Sequence, residues 1–350
     1  MEKRKEATIS MDFTVTIPKQ KGRFGWHSSQ VSLGNWFPIL AVYDHHGWNL
    51  NPYFAEGESF YSLTSNFEVT IQIEESYTVA ATGQRAKPIV KQDGMATYQF
   101  QAENVRDFAM VFNRDFNQNV GMVDGIQVNV FYADEDKDDV EAMLATANYV
   151  LPLFKDLFGE YPWDELDIIS LDMGKESDLG MEYPQLIMVN TPAHSSVEAI
   201  YQTVEHETVH QWFYGAVGND QYAGPWLDES FSTYASYVAF YETLDFSWVR
   251  KFGNKNYHLT SPVSTFTDRE DEGGMGKYSD VIYDFGAKTL HDLHEKVGDE
   301  LFYKGMKTYY RKMKFRVATT ADFIRIMEEA TNQDLTDFFR EHRVFVEETM

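Results

Sequence analysis

Cysteine is absent from the 350 residues. No disulfide, thiolate metal site or cysteine nucleophile is available, so any bound metal must take nitrogen and oxygen ligands. Positive charge is scarce: 30 Lys and Arg stand against 55 Asp and Glu, a formal net charge of −25. A chain this acidic lacks the basic face that a general nucleic-acid binder needs, and it does not suit the surface of an anionic membrane. No apolar run approaches the ~18 residues of a membrane-spanning helix. The charged start MEKRKEATISMDFTV has no apolar stretch behind it and does not read as a signal peptide. The compartment stays open, cytoplasmic or exported: a lack of cysteine suits both, and a sequence that starts inside a β-rich region leaves room for a leader or further strands ahead of Met1. No P-loop, G-x-G-x-x-G, nucleophile elbow, internal repeat or low-complexity linker is present. What is abundant is aromatic: 26 Phe, 21 Tyr and 7 Trp, enough to build a large core.

The chain changes texture near residue 132. Before it, period-2 alternation recurs at Met11–Ile17, Phe67–Ile73, Ala96–Phe100 and Val120–Val130, with Gly83, Gly94, Gly121 and Gly125 at expected turns. This reads as antiparallel β. After it, the acidic run ADEDKDDVE at 133–141 leads into Val140, Met143, Leu144, Ala147, Val150, Leu151, Phe154 and Leu157 at helical spacing. Short strands are expected at 167–172 and 186–190. Ser195-Ser196-Val197-Glu198 reads as a capping box that opens a long helix, and Thr319-Thr320-Ala321-Asp322 opens another. The expectation is an α+β chain: a β domain over 1–132, shortened at its start, and a mostly helical domain over 133–350.

Chemistry concentrates in His206-Glu207-Thr208-Val209-His210, an H-E-x-x-H motif inside the helix opened at Ser195. Residues i and i+4 share a helix face, so two imidazoles can reach one tetrahedral zinc. Glu207 is then poised to take a proton from a water that the metal activates. A catalytic zinc needs a third protein ligand. Glu229, in Trp226-Leu227-Asp228-Glu229-Ser230-Phe231, follows His210 with 18 residues between them, enough for a Gly-containing loop and a second helix packed beside the first. His45-His46 reads as a solvated turn, His291 and His294 as helix residues without a ligand partner, Tyr309-Tyr310-Arg311-Lys312 as helix surface, and Phe54, Phe60 and Tyr61 as β-domain core.

HETVHQWF, the 18-residue gap and WLDES together resemble the gluzincin zinc aminopeptidases, the family of alanyl and leucyl aminopeptidases and leukotriene hydrolase. Gly180-Met181-Glu182-Tyr183-Pro184 resembles the family's G-x-M-E-N exopeptidase motif, and Tyr278 to Gly286 resembles its Y-x-K-G segment. Several positions depart from the pattern: Leu179 for the first Gly, Tyr183 for Asn, Ser230 for the Gly after the ligand, and Phe285 for Lys. Ser236 stands where a carboxylate supporting a zinc histidine is common. The resemblance covers about residues 130–345, and reaches the β part through NWFP at 35–38 and RDFA at 106–109. It implies a thermolysin-like catalytic domain of a bacterial-like member without the C-terminal helical domain. It implies one zinc per chain on His206, His210 and Glu229. It implies Glu207 as general base, Tyr283 as the oxyanion's hydrogen-bond donor with Tyr278 a weaker second candidate, and Glu182 as anchor of the substrate's α-amino group. Gly180 and Met181 would line the substrate backbone, and the substrates would be peptides with a free N-terminus. A further amine-binding group from the β domain is expected, at a position left open. Two other readings stay open: a thermolysin-class endopeptidase, against which Gly180-Met181-Glu182 speaks, and a zinc-free binding protein on the same fold. Such binding relatives lose a ligand or the glutamate, and this chain keeps them all.

Overall fold

The computed structural model describes residues 7–54, 57–133, 137–174, 179–194, 196–241, 243–249, 257–266 and 278–346. Its N-terminal part is β-rich. One sheet holds Phe24–His27, Gln30–Leu33, Met110–Asn113 and Thr78–Ala81; a second pairs Ser65–Glu74 with the long strand Met95–Val105. Alternating apolar residues (Ala96, Tyr98, Phe100, Ala102) meet Leu33, Val79 and Met110 in a shared core. Residues 11–17 form no strand, although they alternate; Met11 and Phe13 are exposed. Alternation specifies a face, and without a partner it specifies nothing more.

A five-stranded sheet links this part to the helices. Its order is Asn117–Val123, Ile126–Tyr132, Glu165–Leu171, Leu186–Asn190, Gly180–Met181. The first two strands form a hairpin across Asp124 and Gly125, both at positive φ, as a type I′ turn demands. Gly121, expected at a turn, instead pairs with Val128 inside this hairpin. The sheet therefore crosses residue 132. Helix α1 (Lys137–Phe158) connects the parallel strands 126–132 and 165–171; residues 134–136 of the acidic run lie outside the described residues. The inner strands are buried on both faces; residues 186–189 are apolar throughout, whereas Glu165–Leu171 carries the buried polar residues Asp167 and Ser170. Leu166, Ile168, Ile187 and Val189 face the helical core, while Ile169, Leu171, Leu186 and Met188 face the β part.

The remaining helices are α2 (Val197–Val209), α3 (Trp226–Phe240), α4 (Gly286–Val297), α5 (Asp299–Met313), α6 (Thr320–Thr331) and α7 (Thr336–Glu341). Ser196 caps α2 by accepting from Ala199 N, whereas Ser195 lies outside the described residues. The capping box at Thr319 and Asp322 opens α6 as expected. Tyr309 and Tyr310 are buried rather than at the helix surface. Tyr309 packs on Phe213, Phe231 and Phe323, and the Tyr310 hydroxyl donates to Glu160 O. None of the described helices is long and apolar enough to cross a membrane.

Arg106, buried at 4 % exposure, ties the β part to the loop after α2. Its guanidinium donates to Ser62 O at 2.8 Å and to Gly215 O at 3.3 Å. Gly218 leaves the room it occupies: a Cβ there would lie 2.1 Å from Nη1. Beside it, the Tyr214 hydroxyl donates to Asp107. RDFA thus fixes where the metal-motif helix ends relative to the β sheets.

Candidate active site

Helix α2 brings His206 and His210 to one face, and α3 lays Glu229 across from them. Three atoms converge: His206 Nε2 and His210 Nε2 are 3.1 Å apart, and Glu229 Oε2 lies 3.4 Å and 3.5 Å from them. Ligands bound tetrahedrally at about 2.0–2.1 Å stand about 3.3 Å from one another, so this triangle is the size of one face of a metal's coordination shell. The residues fit a metal with one open position. The Asp228 carboxylate can only accept, so at 2.6 Å it takes the proton of His210 Nδ1 and turns Nε2 toward the centre. Phe213 O and Ser232 Oγ also face that Nδ1, and Gln221 donates to the other Asp228 oxygen.

The charges point the same way. Burial favours neutral His210, but Asp228 and Glu182 outweigh it and hold its proton affinity well above the ordinary value. Burial would raise Glu229; hydrogen bonding with His206 and His210 wins and holds it below the carboxylate range. Burial depresses His206. The centre thus favours a cation, which a bound metal would supply in place of a proton. Asp228→Asn should weaken metal binding by roughly 10- to 100-fold, the usual effect of losing a group that orients a ligand. Competition with a chelator of known affinity measures it, and an unchanged dissociation constant would remove Asp228 from this role.

Glu207 lies in the wall beside the centre, buried at 6 % exposure. Gly180, on the edge strand, makes its space: a Cβ there would stand 2.3 Å from Glu207 Oε1. Glu182 follows on the same strand end. It is 4 % exposed, and its Oε1 has no hydrogen-bond partner among the described residues. Glu182, Glu207 and His210 each place one atom within 4.8 Å of the others. Burial first, and Glu58 second, push the Glu182 carboxyl well above its ordinary range; a bound ammonium would reverse that. Gln211 holds this turn in place. Its amide nitrogen donates to Tyr183 O at 3.1 Å, and its oxygen accepts from Gln185 N at 2.7 Å. Tyr183, which departs from the family's Asn, is fully buried and donates to Asn35 Oδ1 at 2.8 Å.

The other side is built by a π-helical turn, Ser279–Phe285, that runs into α4. Such turns recur at functional sites because they displace one side chain from the regular helical path. The Ser230 hydroxyl, next to Glu229, donates to Ile282 O at 2.5 Å. A Cβ at Gly286 would lie 1.9 Å from Ser230 Oγ, so Ser230 and Gly286 fit as a pair and tie the ligand helix to Tyr283. The Tyr283 ring stacks on His206 at 6.0 Å. Burial and then the Glu229 charge push its hydroxyl well above the ordinary range, so it remains an O–H donor. Tyr278 is buried against Gly57, and its hydroxyl makes no hydrogen bond among the described residues. Ser236 donates to Thr233 O within α3; the histidine that a carboxylate supports is His210, through Asp228.

Gly180, Glu182, His206, Glu207, His210, Glu229 and Tyr283 line one cavity of about 960 Å³ between the β part and the helices. Gln20–Phe24, Asn35, Gly57, Glu58 and Phe60 enter it from the β part. Phe60 therefore belongs to the cavity wall, with Arg23 over its ring at 5.2 Å. Sequence reading missed Asp228, Gln211 and Glu58. Asp228 and Gln211 each sit directly beside a ligand residue, which was a usable signal; Glu58 has none. Of the other histidines, His45 and His46 lie in an exposed hairpin turn, and His294 bonds Tyr234 and Asp299.

Comparison with known proteins agrees with this geometry. Residues 142–342 match the Peptidase family M1 domain. The chain is 25 % identical over 312 residues to an alanine/arginine aminopeptidase of Saccharomyces cerevisiae, covering 82 % of this chain and 34 % of the relative. It is 23 % identical over 341 residues to human endoplasmic reticulum aminopeptidase 2, covering 90 % and 34 %. To mouse glutamyl aminopeptidase it is 27 % identical over 235 residues, covering 59 % and 24 %. The chain spans about a third of the length of the first two of these relatives or less of the third. With the family match covering more than half of its residues, and the paired histidines, the glutamates and the tyrosine turn all inside it, the chain belongs to peptidase family M1.

Proposed function

We propose that this chain is a zinc aminopeptidase that hydrolyses the N-terminal bond of peptides, with a thermolysin-like catalytic unit. In this proposal the β part over 1–132 and the catalytic part over 133–350 are the two domains, and strands 117–132 complete the catalytic unit's sheet. His206, His210 and Glu229 hold one zinc. When bound, zinc lowers the pKa of a water and polarises a carbonyl. The chain's own residues do the rest. Glu207 takes the proton of the attacking water and hands it to the leaving amine. The Tyr283 hydroxyl donates to the carbonyl oxygen as negative charge develops there. Glu182 accepts from the substrate ammonium, with Glu58 as the second acid at that end, while Gly180 and Met181 flank the substrate backbone.

The observation that carries this reading is Glu182: a buried carboxyl with an unpartnered oxygen, next to the metal centre and opening on the cavity. It measures one residue from a free amine, which an endopeptidase has no use for. The test compares aminoacyl-chromophore substrates bearing free and acetylated N-termini on the zinc-loaded protein. Cleavage of the free series alone is expected. Equal rates on both, or cleavage confined to internal bonds, would sink the aminopeptidase assignment.

A further inference from the structure

The cavity continues beyond the metal centre. Its wall runs along α2 back to Gln202 and Ala199, along α3 from Thr233 to Tyr241, and over the π-helical turn to Asp284. Ala199 precedes His206 by seven residues, an axial distance of about 10 Å, which accommodates about three residues of extended chain. Glu182 lies toward the other end of α2, grouped with Glu207 and His210. A substrate with its amine at Glu182 and its first peptide bond at the metal centre lays the residues that follow along this wall.

Two carboxyls of that wall are unmatched. Glu205 is 4 % exposed, and its Oε2 makes no hydrogen bond among the described residues. Asp284 is half-buried and has no hydrogen bond or ion pair there; Lys288, one turn on, pairs with Asp292 instead. The Lys and Arg side chains that line the cavity among the described residues, Lys21 and Arg23, are already paired with Asp172 and Glu58. Gln202 donates to the Tyr241 hydroxyl, and the Thr203 hydroxyl is engaged by His194. The groove beyond the metal therefore presents negative charge that the protein leaves without a cation. Glu205 and Asp284 line the same cavity as His206 and Tyr283, so this charge lies on the wall that the residues past the scissile bond would meet.

We propose that Glu205 and Asp284 select substrates with a lysine or arginine side chain in the residue immediately after the scissile bond. The proposal rests on the aminopeptidase reading for the direction of the substrate. It is tested on the zinc-loaded full chain with Ala-Lys, Ala-Arg, Ala-Ala and Ala-Glu amides at about pH 8, where carboxyls are ionised. The expected ratio of kcat/KM for Ala-Lys over Ala-Ala is roughly tenfold or more, the scale of one charge-assisted hydrogen bond. Asp284→Asn and Glu205→Gln should each pull that ratio toward unity. A wild-type ratio near one, or a ratio that neither substitution changes, overturns the proposal. Should Glu205→Gln fail to fold, Asp284→Asn and the wild-type series decide. Calorimetric titration of the same peptides into the Glu207→Gln protein provides a readout without turnover, with Ala-Lys expected to bind tightest. A protein that cleaves none of the peptides but binds them in this order loses the aminopeptidase reading and keeps the charge selection. One that cleaves them without discrimination keeps the reading and loses the selection.

Discussion

Glu207→Gln should retain one zinc per chain and lose kcat by roughly 10²- to 10⁴-fold, the range that a positioned general base contributes. Glutamine matches glutamate in shape, so the space opened by Gly180 beside residue 207 remains filled in the same way. The three converging atoms belong to His206, His210 and Glu229, and none belongs to residue 207. Metal affinity and proton transfer are thus separable in this site. The amide cannot accept the proton of the attacking water, and no other carboxylate takes that part in the proposed function, where Glu182 would hold the amine and Glu229 the metal. Metal stoichiometry by atomic spectroscopy and kcat on an aminoacyl-chromophore substrate decide the matter together. A variant with activity within tenfold of the wild type would remove Glu207 as base, and one that loses its zinc would make it a ligand.

The metal centre was legible in the sequence because its information is local. His206 and His210 share a face by the helix period alone, and the gap to Glu229 needs only a loop and one more helix. The core strands were legible for a related reason: the short apolar-rich segments expected as strands at 167–172 and 186–190 overlap the buried strands Glu165–Leu171 and Leu186–Asn190. What escaped depends on partners distant in sequence. Residues 11–17 alternate like a strand, yet form none. Tyr309 and Tyr310 looked like surface because Arg311 and Lys312 follow them, while their partners, Phe213, Phe231 and Glu160, come from elsewhere in the chain. Glu58 comes to the site from a β-part segment whose residues carry no motif. The sheet that crosses residue 132 escaped as well, because a change from β to α texture marks where a helix starts and not where a sheet ends.

The site's charge pattern has a common physical origin. Glu182, Glu207, Asp228 and Glu229 are all buried, and burial without a cation is costly. Asp228 meets the His210 imidazole, and in the proposed function ammonium, the transferred proton and zinc would meet Glu182, Glu207 and Glu229. Glu205 and Asp284 follow the same rule on the far wall, where the cation would come from the substrate.

Tyr283→Phe should lower kcat by roughly 10²- to 10³-fold with little change in KM, the effect of removing one donor from a preorganised oxyanion site. Packing holds the ring, which lies against His206 at 6.0 Å and against Tyr278 at 5.9 Å. The π-helical turn that carries it is anchored to the ligand helix by Ser230 and Gly286. Burial and the Glu229 charge raise the pKa of Tyr283, which favours the protonated hydroxyl that the proposed donation needs. Phenylalanine keeps the ring and loses only the donor. A hydrogen bond made to the oxyanion, and weakly or not at all to the ground-state carbonyl, acts on kcat. A loss confined to KM would place Tyr283 in substrate binding instead. A loss below tenfold would leave the oxyanion to the metal and point to the buried, unbonded hydroxyl of Tyr278 as the next group to remove.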